Sequence, residues 1–125
     1  MASKENKLLK AVRHLEEALG QYRDKVTDLN FLTLTKAFET AVEYSWREMK
    51  RKVEDQGLEA PAPKMAVKEA ARLHLITKPE IWLECIDARN NSVHDYFGIS
   101  TKEYVELTEE LGSLIKSSKA FSEFF

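Results

Sequence analysis

Apolar residues recur along the chain at intervals of three and four, the spacing that puts side chains on one face of an α-helix. Leu8, Val12, Leu15 and Leu19 carry the first stripe and predict a helix over Lys4–Tyr22. A short turn, Asp24–Asp28, follows. Phe31, Leu34, Phe38, Val42, Ser45, Met49 and Val53 then predict a long second helix over Asp28–Gln56, with Trp46 one turn after Val42. Gly57 is its stop, because glycine takes the left-handed backbone of a helix end at little cost. The segment EAPAP, Glu59–Pro63, reads as the one clear linker. A shorter third helix, rich in Ala and Lys, is predicted over Lys64–Leu75. Thr77 and Glu80 have the spacing of a capping box, with Pro79 in the first turn, so a fourth helix should begin at Thr77. It should run to Tyr96, before Gly98. Ser100 and Glu103 repeat the capping-box spacing and open a fifth helix with the stripe Tyr104, Leu107, Leu111, Leu114, Ser118 and Phe121. No stretch of useful length alternates with the period of a strand. The pattern predicts an all-α fold, an antiparallel four-helix up-and-down bundle with one additional short helix, as a single domain over residues 1–125.

Composition narrows the setting. Hydrophobic residues make up 43% of the 125 positions, enough for one real core, and 32% are charged with mixed signs, which suits a globular surface. The net charge is −2, so contact with nucleic acid has to come from a local basic patch. Cys85 is the only cysteine, which excludes an intrachain disulfide and fits a reducing compartment. The opening MASKENKLLK is polar, and no run approaches the roughly 20 apolar residues that span a bilayer. The expectation is a soluble cytoplasmic protein without a membrane association.

The fourth helix departs from this regularity at DARNNSVHDYFG, residues 87–98. Trp82, Arg89 and Tyr96 fall at seven-residue intervals, drifting only about 20° per step around an ideal helix. Ile86 and Val93 flank that line. Arg89 is therefore expected on the inward face, between two aromatic layers. An unpaired buried charge costs several kcal/mol, so Arg89 needs a carboxylate, a polar cleft or an anionic ligand. Glu43 of the second helix and the nearby Asp87 are the candidate carboxylates. His94 lies five positions after Arg89, about 140° away around the helix axis. One straight helix does not easily aim both at one phosphate. Either the helix distorts before Gly98, or a two-fold partner completes the site.

Other candidates carry less. His14 and His74 have no metal-ligand spacing to another His or Cys and read as surface or interhelical residues; no metal site is expected. Cys85 sits on the apolar stripe as packing. No glycine-rich phosphate loop occurs, and no cofactor is expected. The basic run REMKRK, Arg47–Lys52, is read first as a solvated helix face and second as a contact for RNA backbone.

The string RNNSVHDY has the form R-x4-H-x-Y, and in this it resembles the signature of the HEPN superfamily. The surrounding FETAVEYSWREMK, PKMAVKEAARLHLI and WLECIDARNNSVHDYF resemble the nucleotidyltransferase substrate-binding protein branch, over nearly the whole chain. That resemblance implies a homodimer whose two motif helices share one cleft, and a minimal nucleotidyltransferase as partner. It implies the toxin of a toxin–antitoxin pair, acting as a metal-independent endoribonuclease on RNA. Arg89 and His94 would be the catalytic pair, with Asn90 and Asp87 supporting them. Tyr96 would be the residue onto which the partner transfers AMP. The alternative within the same family is a non-catalytic subunit that presents substrate to the nucleotidyltransferase. A purely structural helical dimer is a third reading, and it leaves Arg89 unexplained.

Overall fold

Asn6 opens the first helix by accepting a hydrogen bond from the Leu9 amide at 2.8 Å. This side-chain cap satisfies an amide that has no partner within the helix. The computed structural model describes residues 6–91 and 100–125. Helix α1 spans Lys7–Asp24 and buries Leu8, Ala11, Val12, Leu15, Ala18 and Leu19, the predicted stripe widened by two alanines. Thr27 caps helix α2, Asp28–Asp55, by accepting from the Asn30 amide at 3.1 Å. Asn30 in turn donates through its side chain to the Lys25 carbonyl at 2.8 Å and the Gln21 carbonyl at 3.3 Å. One residue thus ties the end of α1 to the start of α2. The turn folds α2 back along α1, so that Gln21 lies near Leu32 while Lys7 lies near Tyr44.

At 28 residues, α2 is the longest described helix and touches each of the others. Leu34, Phe38, Ala41, Val42, Met49 and Val53 are fully buried along it. Gly57 closes it with φ +85, and its amide donates to the Glu54 carbonyl at 2.9 Å. The following linker is not loose. Ala60 is buried, and its carbonyl accepts from Lys50 at 3.2 Å. Helix α3 spans Pro63–Arg72, with Pro63 in its first turn.

Two expectations are corrected between α3 and α4. The third helix stops at Arg72, three residues before Leu75, because His74 turns left-handed at φ 60. The fourth starts at Pro79 rather than at a Thr77 cap, because Lys78 is left-handed at φ 52 and its carbonyl receives the amides of Ile81 and Trp82. Helix α4 is described over Pro79–Asn91. Helix α5, Thr101–Ser117, opens with the predicted capping box: the Glu103 amide donates to Ser100 Oγ and the Ser100 amide to Glu103 Oε1, both at 3.2 Å. Ser100→Ala removes one of these bonds and should lower stability by about 1 kcal/mol in urea unfolding at unchanged m.

The stripe of α5 was expected to stay helical to Phe121, but Ser118 is extended and Lys119–Phe121 forms a 3-10 turn. That turn carries Phe121 onto Trp82, ring centroids 6.0 Å apart, and the Ala120 amide donates to the Leu75 carbonyl at 2.9 Å. Five α-helices and this turn, with no strand, make up the described residues, and all five contribute to the buried apolar cluster. Phe38 and Tyr104 join α2 to α5 within it, with rings 4.9 Å apart. Exposed ion pairs Glu16–Lys116 and Arg23–Glu109 also bridge α1 and α5. Among the described residues no helix is long and apolar enough to cross a membrane.

Candidate functional site

Along α4 the side chains of Trp82, Cys85, Ile86 and Ala88 are buried. Arg89 follows one turn after Cys85 and Ile86, but its side chain keeps 29% of its exposure. It lies at the margin of the core, less deeply inward than expected, and Tyr96, the second of the two expected aromatic layers, is outside the described residues. From that margin it reaches α2. Arg89 Nη2 is 2.5 Å from Glu43 Oε1. The pair is held by charge more than by an aligned hydrogen bond, since Glu43 Oε1 has no well-directed donor among the described residues.

Glu43 serves a second arginine. Its Oε2 accepts from Arg47 Nε at 2.6 Å, across one turn of α2. One carboxylate thus sits between two guanidiniums from different helices. Arg89 also donates through Nη1 to Asn90 Oδ1 at 3.3 Å, so Asn90 orients the guanidinium from the exposed side. Lys36, Glu39, Thr40 and Tyr44 complete a cleft of about 290 Å³ around these groups. A guanidinium at the edge of such a cleft has the planar donor set that matches carboxylate and phosphate oxygens.

The other expected residues divide. Asp87 is not a partner of Arg89: it pairs with Lys64 of α3 at 2.7 Å, on exposed surface. Residues two apart on a helix face different ways, so Asp87 could not follow Arg89 toward α2. His94 and Tyr96 lie outside the described residues, as do Val93 and Gly98. His14 and His74 are exposed. Cys85 is fully buried, and burial pushes its thiol well above the usual range, which keeps it protonated and unreactive. Among the described residues no three His, Cys, Asp or Glu side chains are grouped to hold a metal.

The basic run resolves into ion pairs. Lys50 pairs with Glu54, Arg51 with Glu48 and Asp55, and Lys52 with Glu123. Those cations belong to a solvated, internally neutralised face. Arg47 alone leaves the run for the cleft. Sequence reasoning grouped it with its neighbours, although its four-residue spacing from Glu43 was the signal that separates it.

Residues 4–119 match the family model described as nucleotidyltransferase substrate binding protein like. No curated protein matches the chain.

Proposed function

Because the chain belongs to the nucleotidyltransferase substrate-binding protein-like family, a HEPN-type family whose name implies partnership with a nucleotidyltransferase, we propose that it is a metal-independent endoribonuclease, the toxin subunit of a pair with a minimal nucleotidyltransferase. In this reading the helices form an antiparallel four-helix up-and-down bundle, one domain with α3 as the additional short helix. Two copies bring their motif helices to one cleft.

The supporting observation is Arg89, a half-buried guanidinium held at the mouth of a polar cleft with Glu43 at 2.5 Å and Asn90 beside it. In the reaction, His94 removes the proton of the RNA 2′-hydroxyl. The 2′ oxygen attacks phosphorus, the bond to the 5′ oxygen breaks, and that oxygen takes up a proton. The products are a 2′,3′-cyclic phosphate and a 5′-hydroxyl. Histidine is suited to the proton transfers because it titrates near neutral pH. Arg89 stabilises the extra negative charge on the five-coordinate phosphorus, as a fixed cation already in place. A nucleotide added to Tyr96 sets bulk and negative charge two residues from His94 and keeps substrate phosphate out.

Incubating the purified chain with RNA in EDTA should give fragments ending in cyclic phosphate, and adding the nucleotidyltransferase subunit should suppress them. Intact RNA together with a stable complex would leave the second reading, a non-catalytic subunit that presents substrate to the nucleotidyltransferase. The family's own description and the net charge of −2 favour that alternative.

A further inference from the structure

The cleft at Arg89 does not end at α2. A second cleft, of about 370 Å³, shares Thr40 and Tyr44 with it and continues along α1 to Lys10 and Lys7. A third, of about 630 Å³, meets both at Thr40, between His14 and Lys36. The first two together are lined by five Lys or Arg side chains and only two carboxylates, Glu39 and Glu43. The cleft beside α5 has the reverse balance, with Glu106, Glu109 and Glu110 against Lys78. In a chain of net charge −2 this groove therefore has a local excess of positive charge, five cations against two carboxylates. Such a groove attracts phosphate locally even where the whole molecule does not.

Tyr44 stands where the two clefts join. One side of it packs against the core, and Lys7 Nζ lies 5.9 Å from its ring centroid. An exposed cation–π contact of this kind is weak and exchanges readily for another planar group. Lys36, Thr40 and Arg47 repeat along the same face of α2, so that about 16 Å of groove separates Lys36 from Arg47 at 1.5 Å per residue. Cations spaced along a groove with an aromatic ring midway are the means by which proteins hold single strands without reading their sequence.

We infer that this groove, from Arg89 past Tyr44 to Lys7, binds single-stranded RNA, with a base stacked on Tyr44 and backbone phosphates on Lys36, Lys10 and Lys7. The inference rests on the ribonuclease reading and gives its substrate a class and a path. A single strand fits better than a duplex, because only unpaired bases present a free face to Tyr44.

The test is binding of a short, uncleavable 2′-O-methyl oligouridine to the full chain, by fluorescence anisotropy across a salt series. Tyr44→Leu, which keeps apolar packing but not stacking, should weaken binding about tenfold or more, and Tyr44→Phe should retain it. Replacing Lys7, Lys10 and Lys36 together by alanine should make the log–log salt slope shallower by about 2, at about 0.7 per phosphate lost. All three lysines are exposed, so this variant stays folded even if Tyr44→Leu does not. The inference is overturned if the wild type fails to bind, or if the lysine variant binds with the wild-type slope. It is equally overturned if these variants lose the nucleotidyltransferase subunit while RNA binding is unchanged, which would make the groove a protein-docking face. Cleavage of unmodified RNA is scored separately. Groove-dependent binding without cleavage keeps the groove and removes the nuclease, and cleavage with groove-independent binding does the opposite.

Discussion

Arg89→Ala and His94→Ala should each slow RNA cleavage at least about a hundredfold. A positioned general acid–base contributes about 10² to 10⁴ in rate, and one preorganised charge-stabilising donor about 10² to 10³. The Arg89→Ala loss should not come from unfolding. Arg89 is at the margin of the core, and without it Glu43 still has Arg47 as an ion-pair partner. The double variant should be little worse than the slower single one, because groups that act together in one step do not add. Arg89→Lys should recover only part of the rate: lysine restores the charge but not the planar pair of donors that meets two phosphate oxygens at once. Initial rates in EDTA, read beside thermal melting of each variant, decide the matter. Equal rates for wild type and both alanine variants at matched folding would remove Arg89 and His94 from the chemistry.

Where a stripe was long, sequence and structure agree closely. Leu8 to Leu19 and Leu34 to Val53 each repeat over several turns, and no local event outweighs so many buried contacts. The misses sit at ends. Thr77–Glu80 and Ser100–Glu103 have identical spacing, yet only the second forms a box. Capping needs an extended residue before the first turn, and Ser100 supplies it at φ −74 and ψ 161. Before α4 that place is held by Lys78 at φ 52, a conformation no lysine announces. Ser118 and Phe121 are buried as the stripe implied, but they are reached by leaving the helix, because Phe121 must meet Trp82.

The site shows the same division. Seven-residue spacing placed Arg89 within about 20° of Trp82 on one helix face. The two still differ in burial, 1% exposed for Trp82 and 29% for the Arg89 side chain, because the long arginine stem carries its charged end out to the cleft. Two carboxylates were within sequence reach of Arg89, and nothing local to α4 chose between them. The choice is tertiary: α2 offers Glu43 to the side Arg89 faces, and α3 offers Lys64 to the side Asp87 faces.

Glu43 should prove to be the residue that holds Arg89 in place, and its substitutions should separate stability from activity. Glu43→Leu removes the carboxylate that both guanidiniums contact and leaves Glu39 as the cleft's remaining one. Breaking a fully buried pair costs about 3–5 kcal/mol and an exposed one about 0–1. With side chains 22% and 29% exposed, Glu43 and Arg89 lie between these limits, and a loss of about 1–3 kcal/mol is expected. Combining Glu43→Leu with Arg89→Met should return much of that stability, since apolar side chains of similar size replace ion pairs with little loss. The double variant should be folded and inactive, which Arg89→Ala alone cannot establish so cleanly. Glu43→Gln keeps the shape and a hydrogen-bond acceptor but removes the charge. Its cleavage should fall, though less than that of Arg89→Ala, because the guanidinium keeps its chemistry and loses only its fixed position. Urea unfolding of all four corners of the cycle gives the coupling, and the kinetics of Glu43→Gln give its sign for catalysis. A faster Glu43→Gln enzyme would mean that the carboxylate competes with substrate phosphate for Arg89, and the positioning role would fall.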